Sequence, residues 1–184
     1  MKQQNFKRSR YFHFTTKIIH PKFYDQTQTE NWHNLLDVLH TVQNQQSVTW
    51  HSAVLMSNHV HLLLSLEGYY EHSLILDLEK EWKSIIRTKK ALFQRPLPCE
   101  PIDNFEHFKM AYKYIYRNPV EAGLSPRVEI YPFSSLPLIL NFNKTPQKNP
   151  FVDPMEIIFD PYRRLRWLNS PDRDPQMSFA WFDV

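Results

Sequence analysis

Two residue types are nearly missing from this chain of 184 residues: it has one cysteine and two glycines. A lone Cys99 can form no internal disulfide and no thiolate zinc cage, so a reducing, cytoplasmic setting is expected. Gly68 and Gly123 lie too far apart to build a Gly-rich phosphate loop or a dinucleotide fingerprint, and nucleoside-triphosphate and NAD chemistry are not expected. No apolar run approaches the roughly 20 residues that a membrane helix needs. Met1 to Arg10 is polar and basic with no apolar stretch behind it, so no export signal is expected either. What is plentiful is apolar and aromatic material, 42% and 15% of the residues, enough to build the core of one domain with an extension.

The net charge of +3 hides a segregation. Lys2, Lys7, Arg8, Arg10, Lys17 and Lys22 give the first 22 residues +6 with no acid among them. Residues 80–95 carry Lys80, Lys83, Arg87, Lys89, Lys90 and Arg95 against Glu81, a local +5, which leaves −8 for the rest of the total of +3. Two basic segments in an acidic remainder are the footprint expected of a polyanion-binding protein, and equally of a solvated tail and one charged helix face.

Hydrophobic periodicity gives the element order. Tyr11 to Ile19 is aromatic and β-branched and reads as a strand. Thr27 and Glu30 have capping-box spacing, and Trp32, Leu35, Leu36, Leu39 and Val42 recur at helical period, so a helix over 29–44 follows. Val48 to Met56 and His59 to Leu66, separated only by Ser57 and Asn58, predict an antiparallel hairpin. A second helix is expected over Glu71 to Phe93, a short edge strand within Leu97 to Ile102, and a third helix from the Asn104 cap to Arg117, ahead of Pro119. This order predicts an α+β, ferredoxin-like antiparallel sheet with helices on one face. Residues 1–140 form the expected domain, 141–154 a proline-bearing linker and 155–184 a tail that either docks or awaits a partner.

Two stretches carry the chemistry. In Met56-Ser57-Asn58-His59-Val60-His61-Leu62-Leu63-Leu64, His59 and His61 share one face of a strand, about 6–7 Å apart along the backbone. Two imidazoles so placed can chelate a divalent cation, and the same pattern also fits half-buried histidines on an amphipathic strand. On the helix that carries the second stretch, Ala111 to Leu124, Phe105, Phe108, Tyr112 and Ile115 form the apolar face, while Tyr114 and Asn118 lie close together mostly off it. A surface tyrosine is the plain alternative for Tyr114.

Taken together, "MSNHVHLLL" at Met56 to Leu64, "YIYRNPVEAGL" at Tyr114 to Leu124 and "YPFSSL" at Tyr131 to Leu136 resemble the single-tyrosine HUH transposases, in particular the REP-associated tyrosine transposase branch. The resemblance runs over about Tyr11 to Leu136. It implies that His59 and His61 are the HUH metal pair, that Tyr114 is the nucleophile, and that Asn118 supplies the third polar metal ligand. Two departures stand out: Ser57 replaces the usual proline of the turn, and Phe93-Gln94-Arg95-Pro96-Leu97 replaces a tryptophan-centred strand pattern.

The implied reaction is cleavage and rejoining of single-stranded or hairpin DNA of the REP palindrome type, through a 5′-phosphotyrosine. Conserving the phosphodiester energy in that bond needs no ATP, in keeping with the missing phosphate loop. Two imidazoles and an amide oxygen around an open position favour Mg²⁺ or Mn²⁺ over a structural zinc. Lys7, Arg8, Arg10, Lys83, Arg87, Lys89, Lys90, Arg95, Arg163, Arg164 and Arg166 are the expected DNA contacts, with solvated charge as the alternative for each. No membrane partner is expected, and the chain would act as a monomer or homodimer. The competing functions are a non-catalytic DNA-binding protein of the same fold and a replication-initiator or relaxase-type HUH nuclease.

Overall fold

Arg10–Lys17 is rich in aromatic and β-branched side chains, and this segment forms β1, an inner strand of the sheet. The structure, a computed structural model, describes residues 10–67, 71–140, 149–153, 155 and 160–171. After β1 come a single-turn helix α1 (Pro21–Tyr24), α2 (Gln28–Gln45), β2 (Val48–Leu55), β3 (His59–Leu66), α3 (Glu71–Ile85), β4 (Cys99–Ile102), α4 (Phe105–Glu121), α5 (Leu136–Ile139) and α6 (Pro161–Asn169). The strand order is β2-β3-β1-β4 with every pairing antiparallel, the order expected of a ferredoxin-like sheet.

Because side chains alternate along a strand, each strand contributes to two cores. Phe12, Phe14, Val60, Leu62, Leu64 and Trp50 point to one face, where α2 and α3 pack side by side. The reciprocal Thr27–Glu30 capping box starts α2, which buries Trp32, Leu35, Leu36, Leu39 and Val42 there. Tyr11, Leu63, Val54 and Ile102 point the other way and form a second core with Phe108, Ala111, Tyr112, Ile115 and Tyr116 of α4. The crossover helices α2 and α3 thus share one face, as the sequence predicts, and α4 adds a layer on the opposite face. Without α4 that second apolar row would be bare to water.

Two helix ends differ from expectation. The second helix stops at Ile85 instead of Phe93, because Arg87 adopts a left-handed backbone (φ 53°) and turns the chain back toward the sheet. The buried carboxylate of Glu79 holds this return: it accepts the Leu92 and Phe93 N–H groups at 2.8 and 3.2 Å and pairs with Arg95. The third helix runs through Pro119 to Glu121. It ends in a Schellman motif, with Leu124 N–H bonded to the Pro119 carbonyl at 2.8 Å and Gly123 N–H to Val120 at 3.0 Å. Gly123 takes the φ of +69° that this cap requires.

The YPFSSL stretch lies along the free edge of β2 and ties α4 to it. Leu55 N–H bonds to the Phe133 carbonyl at 2.9 Å and Ser135 N–H to Ala53 at 2.8 Å. The Ser135 hydroxyl accepts the Ala53 N–H at 2.9 Å and meets the Tyr116 hydroxyl at 2.7 Å, all of it buried. The described parts of the expected linker and tail also return to the domain. Phe151 bridges to Trp50, while Met155 and Leu168 are buried in the α4 core. Among the described residues no helix is long and apolar enough to cross a membrane.

Arg164, expected as a DNA contact, is a correction. It is 2% exposed and forms an ion pair with Asp153, because α6 turns this arginine inward and Trp167 over Tyr112 of α4. Breaking a buried pair by removing one partner costs about 3–5 kcal/mol, whereas loss of an exposed i,i+3 pair such as Arg163–Asp160 costs under about 1 kcal/mol. Arg164→Ala is therefore expected to lower the denaturation midpoint strongly and Arg163→Ala barely, as read by chemical denaturation.

A bulge between Trp50 and Ser52 turns His51 into the α4 core, stacked on Tyr11 with its Nε2 at 2.9 Å from the Ser65 hydroxyl. Burial pushes its pKa down from 6.5 to about 4. Above pH 6.5 folded and unfolded chains both keep this group neutral; between pH 6.5 and 4 only the unfolded chain takes the proton, so stability is lost as pH falls through that window. His51→Gln is expected to flatten the fall in melting temperature between pH 7 and pH 4, while a slope equal to wild type would remove His51 from this role.

Candidate functional site

Four side chains converge between the sheet and α4. Strand period places His59 and His61 on the same face of β3, and their rings meet nearly perpendicular with centroids 5.0 Å apart. Register then brings a third histidine. Thr15 is the direct partner of His61, which makes His13, two residues back on β1, its diagonal neighbour on the same face. The His13 and His61 rings lie edge to edge, their planes 18° apart and their centroids 5.5 Å apart, with His13 Nε2 at 3.3 Å from His61 Nδ1. From α4, Tyr114 stands edge-on to both, 5.9 Å from each ring centroid.

The histidines of this group are held neutral. Burial pushes His61 well below its ordinary pKa, and the neighbouring His13 and His59 act in the same direction. His13 is lowered to about 4, again by burial first and by His107 second. Partial burial lowers His59 as well, helped by Lys17, its direct partner across the β1–β3 ladder. Tyr114 moves the opposite way: burial raises its pKa, the Glu100 carboxylate adds to this, and a hydrogen bond from the Asn118 side chain partly offsets it.

The donor set fits a divalent cation. His59 Nδ1 lies 2.8 Å from the Asn58 amide oxygen, which can only accept, so Nδ1 carries the hydrogen and Nε2 the lone pair. His61 is likewise engaged through Nδ1. Neutral imidazoles with Nδ1 tied to the protein are the form in which histidine ligates metals. Asn118 donates its Nδ2 to the Tyr114 carbonyl at 3.1 Å, which leaves Oδ1 as the oxygen of that amide able to reach a cation. Among the described residues, no group of three His, Cys, Asp or Glu side chains has the arrangement of a metal cage, so further ligands would be an amide, a hydroxyl or water.

The basic residues are more scattered. Lys83, Arg87, Lys89, Lys90 and Arg95 sit on α3 and the segment after it, across the sheet from Tyr114; Lys83, Lys89 and Arg95 help to line a cleft of about 500 Å³ with Lys80 and Thr88. Arg10 is exposed at the start of β1, and Arg163 and Arg166 are exposed on α6. Lys7 and Arg8 lie outside the described residues.

Sequence reasoning missed His13, Glu100 and His107. His13 and Glu100 face each other across the β1–β4 ladder, and His107 lies two turns before Tyr114 on α4, near enough to act on both. The signal was partly present, since His13 alternates with Tyr11 and Thr15 on one face of β1, but only the pairing register says which of the β3 residues it meets.

No family model matches the chain, and no curated protein matches it. Among solved structures it is similar to that of the REP-associated tyrosine transposase bound to a REP hairpin, with a TM-score of 0.62 and 21% identity, over 72% of this chain and 79% of that one. At that identity the likeness establishes a shared fold, the four-stranded antiparallel sheet with its helices.

Proposed function

We propose that this chain is a metal-dependent DNA strand transferase that uses Tyr114 to cleave and rejoin single-stranded or hairpin DNA, with REP-type palindromes as the substrate class. The observation that carries the proposal is the placement of the Tyr114 ring 5.9 Å from His61, itself 5.0 Å from His59, on a sheet shared with a hairpin-bound tyrosine transposase. His59 and His61 would hold Mg²⁺ or Mn²⁺ with Asn118 as the amide ligand, and such a cation supplies positive charge beside the phenol and the scissile phosphate.

The chain's own residues supply the rest. Tyr114 is half-buried, and its helix is joined to Ser135 beside β2 through Tyr116 and to α6 through Tyr112 and Arg117, so the hydroxyl would approach the phosphate from a fixed direction. Its oxygen attacks phosphorus as its proton leaves to water, the P–O3′ bond breaks, and the departing oxygen takes a proton to become a 3′-hydroxyl. The 5′-phosphate stays on Tyr114. Attack by a 3′-hydroxyl reverses the step, forming the new phosphodiester and returning the phenol, with no external energy source.

The exposed cations of α3 and the following segment lie behind the sheet, where they would contact the backbone of a folded hairpin extending round the β4 edge. Acting on DNA without crossing a membrane, the protein would work in the cytoplasm. The competing reading, a non-catalytic DNA-binding protein of this fold, predicts binding with no covalent product.

The two readings separate on a denaturing gel. Incubation of the protein with a single-stranded hairpin oligonucleotide and Mn²⁺ is expected to give a shifted protein–DNA band that Tyr114→Phe abolishes. No band with wild type, or an equal band with Tyr114→Phe, would sink the catalytic reading. His59→Ala is expected to remove cleavage, by at least about 100-fold for loss of a direct ligand, while DNA binding by gel shift stays within about twofold of wild type.

A further inference from the structure

His13 lies outside every motif that singles out the site, yet it makes a hydrogen-bonding contact with His61 Nδ1. The contact has a direction to choose. Two imidazole nitrogens can share only one hydrogen, so either His61 Nδ1–H donates to His13 Nε2, or His13 Nε2–H donates to His61 Nδ1. The choice fixes the rest of the His61 ring. In the first case His61 Nε2 bears the lone pair and can ligate; in the second it bears the hydrogen and cannot. His59 is governed in the same way by a different partner, the Asn58 amide oxygen, whose accepting character leaves no choice.

We infer that His13 is a positioning residue for the metal site: it accepts the His61 Nδ1 hydrogen, sets the tautomer in which His61 Nε2 can bind a cation, and fixes the ring plane. This rests on the proposed function above for the identity of His61 as a ligand. Three observations support it beyond the contact itself. The diagonal register of β1 on β3 makes the approach of these two side chains a property of the sheet and not of a flexible loop. The rings are nearly coplanar: their planes differ by 18°, and the two nitrogens, 3.3 Å apart, lie between centroids 5.5 Å apart, so the N–H···N contact runs in the plane of both rings and fixes the orientation of the His61 ring. His61 is buried, where a wrong tautomer would leave a polar nitrogen without a solvent partner, and His13 beside it is half-buried.

The surroundings of His13 are consistent with an acceptor at Nε2. Glu100 stands directly opposite on β4, His107 comes from α4, and the Tyr114 ring closes the space edge-on. None of these faces requires His13 to donate from Nε2. His13 touches neither phosphate nor nucleophile chemistry in this scheme; it acts through His61, as outer-shell partners of metal-bound histidines do.

Two variants test the idea with Mn²⁺ alone as the probe. His13→Gln keeps an amide oxygen able to accept near the position of Nε2, while His13→Phe keeps an aromatic ring at this position and loses the acceptor. Expected are Mn²⁺ dissociation constants, read from the free-ion electron paramagnetic resonance signal, weakened about 10- to 100-fold in His13→Phe and restored to within a few-fold in His13→Gln. In the metal-free wild type, ¹⁵N resonances are expected to report His61 as the Nδ1–H tautomer and to lose that preference in His13→Phe. Wild-type affinity in a folded His13→Phe, or an Nε2–H tautomer for His61 in the wild type, overturns the inference. His59→Ala serves as the control on the site itself: weakened binding there with unchanged binding in His13→Phe refutes only the role of His13, whereas no effect in either, or no Mn²⁺ binding by wild type, refutes the metal pair as well.

Discussion

The site depends above all on the antiparallel register of β1 against β3. With a side-chain period of two, this register puts Tyr11, His13, His59, His61 and Leu63 on one face and Phe12, Phe14, Val60, Leu62 and Leu64 on the other. A slip by one residue would exchange the two sets, burying imidazoles against α2 and α3 and presenting leucines to Tyr114. Both faces are covered, so each resists the slip. The core that stabilises the fold and the group that would perform the chemistry are alternate residues of the same strands.

Holding Tyr114 at that face falls to α4 and what clasps it. One side of the helix is sealed by Phe108, Ala111, Tyr112 and Ile115 on the sheet, and the next turn is joined to β2 through Tyr116 and Ser135. From the outside, α6 lays Trp167 over Tyr112, and Arg117 donates to the Leu168 and Ser170 carbonyls at 3.4 and 3.0 Å. The described part of the tail, α6, therefore helps to support the helix that carries Tyr114. An electrostatic tension sits inside this rigid frame. Neutral, desolvated histidines are ready to ligate, and the same desolvation holds the Tyr114 phenol in its protonated form. On the proposed reading, a cation held at the imidazoles would relieve that tension.

Much of this was legible in the sequence because it is written in local periodicity. The strand alternation of YFHFTT, the Thr27–Glu30 box, the two-residue hairpin turn and the helical spacing of Phe105 to Ile115 each predict the element that forms. The pairing of His59 with His61 needed only the strand period. What escaped was set by tertiary context. Glu79 and the left-handed Arg87 end α3 eight residues before its apolar pattern does. Packing and a Schellman cap carry α4 past Pro119, against the local preference. Arg164 reads as one of several surface cations until the chain folds back and Asp153 meets it. His13 could not be assigned to the site without the register, since nothing in its own neighbourhood of sequence points across the sheet.

On the proposed reading, Tyr114 is the tyrosine of α4 that forms the bond to DNA. Tyr112 and Tyr116 are its neighbours on α4, both fully buried, and burial raises the pKa of each. Tandem mass spectrometry of the protease-digested protein–oligonucleotide adduct tests this most directly. The account predicts a nucleotide phosphate carried on Tyr114 and on no other tyrosine. A modified Tyr112, Tyr116 or any residue off α4, in a sample that cleaves the hairpin, would contradict it.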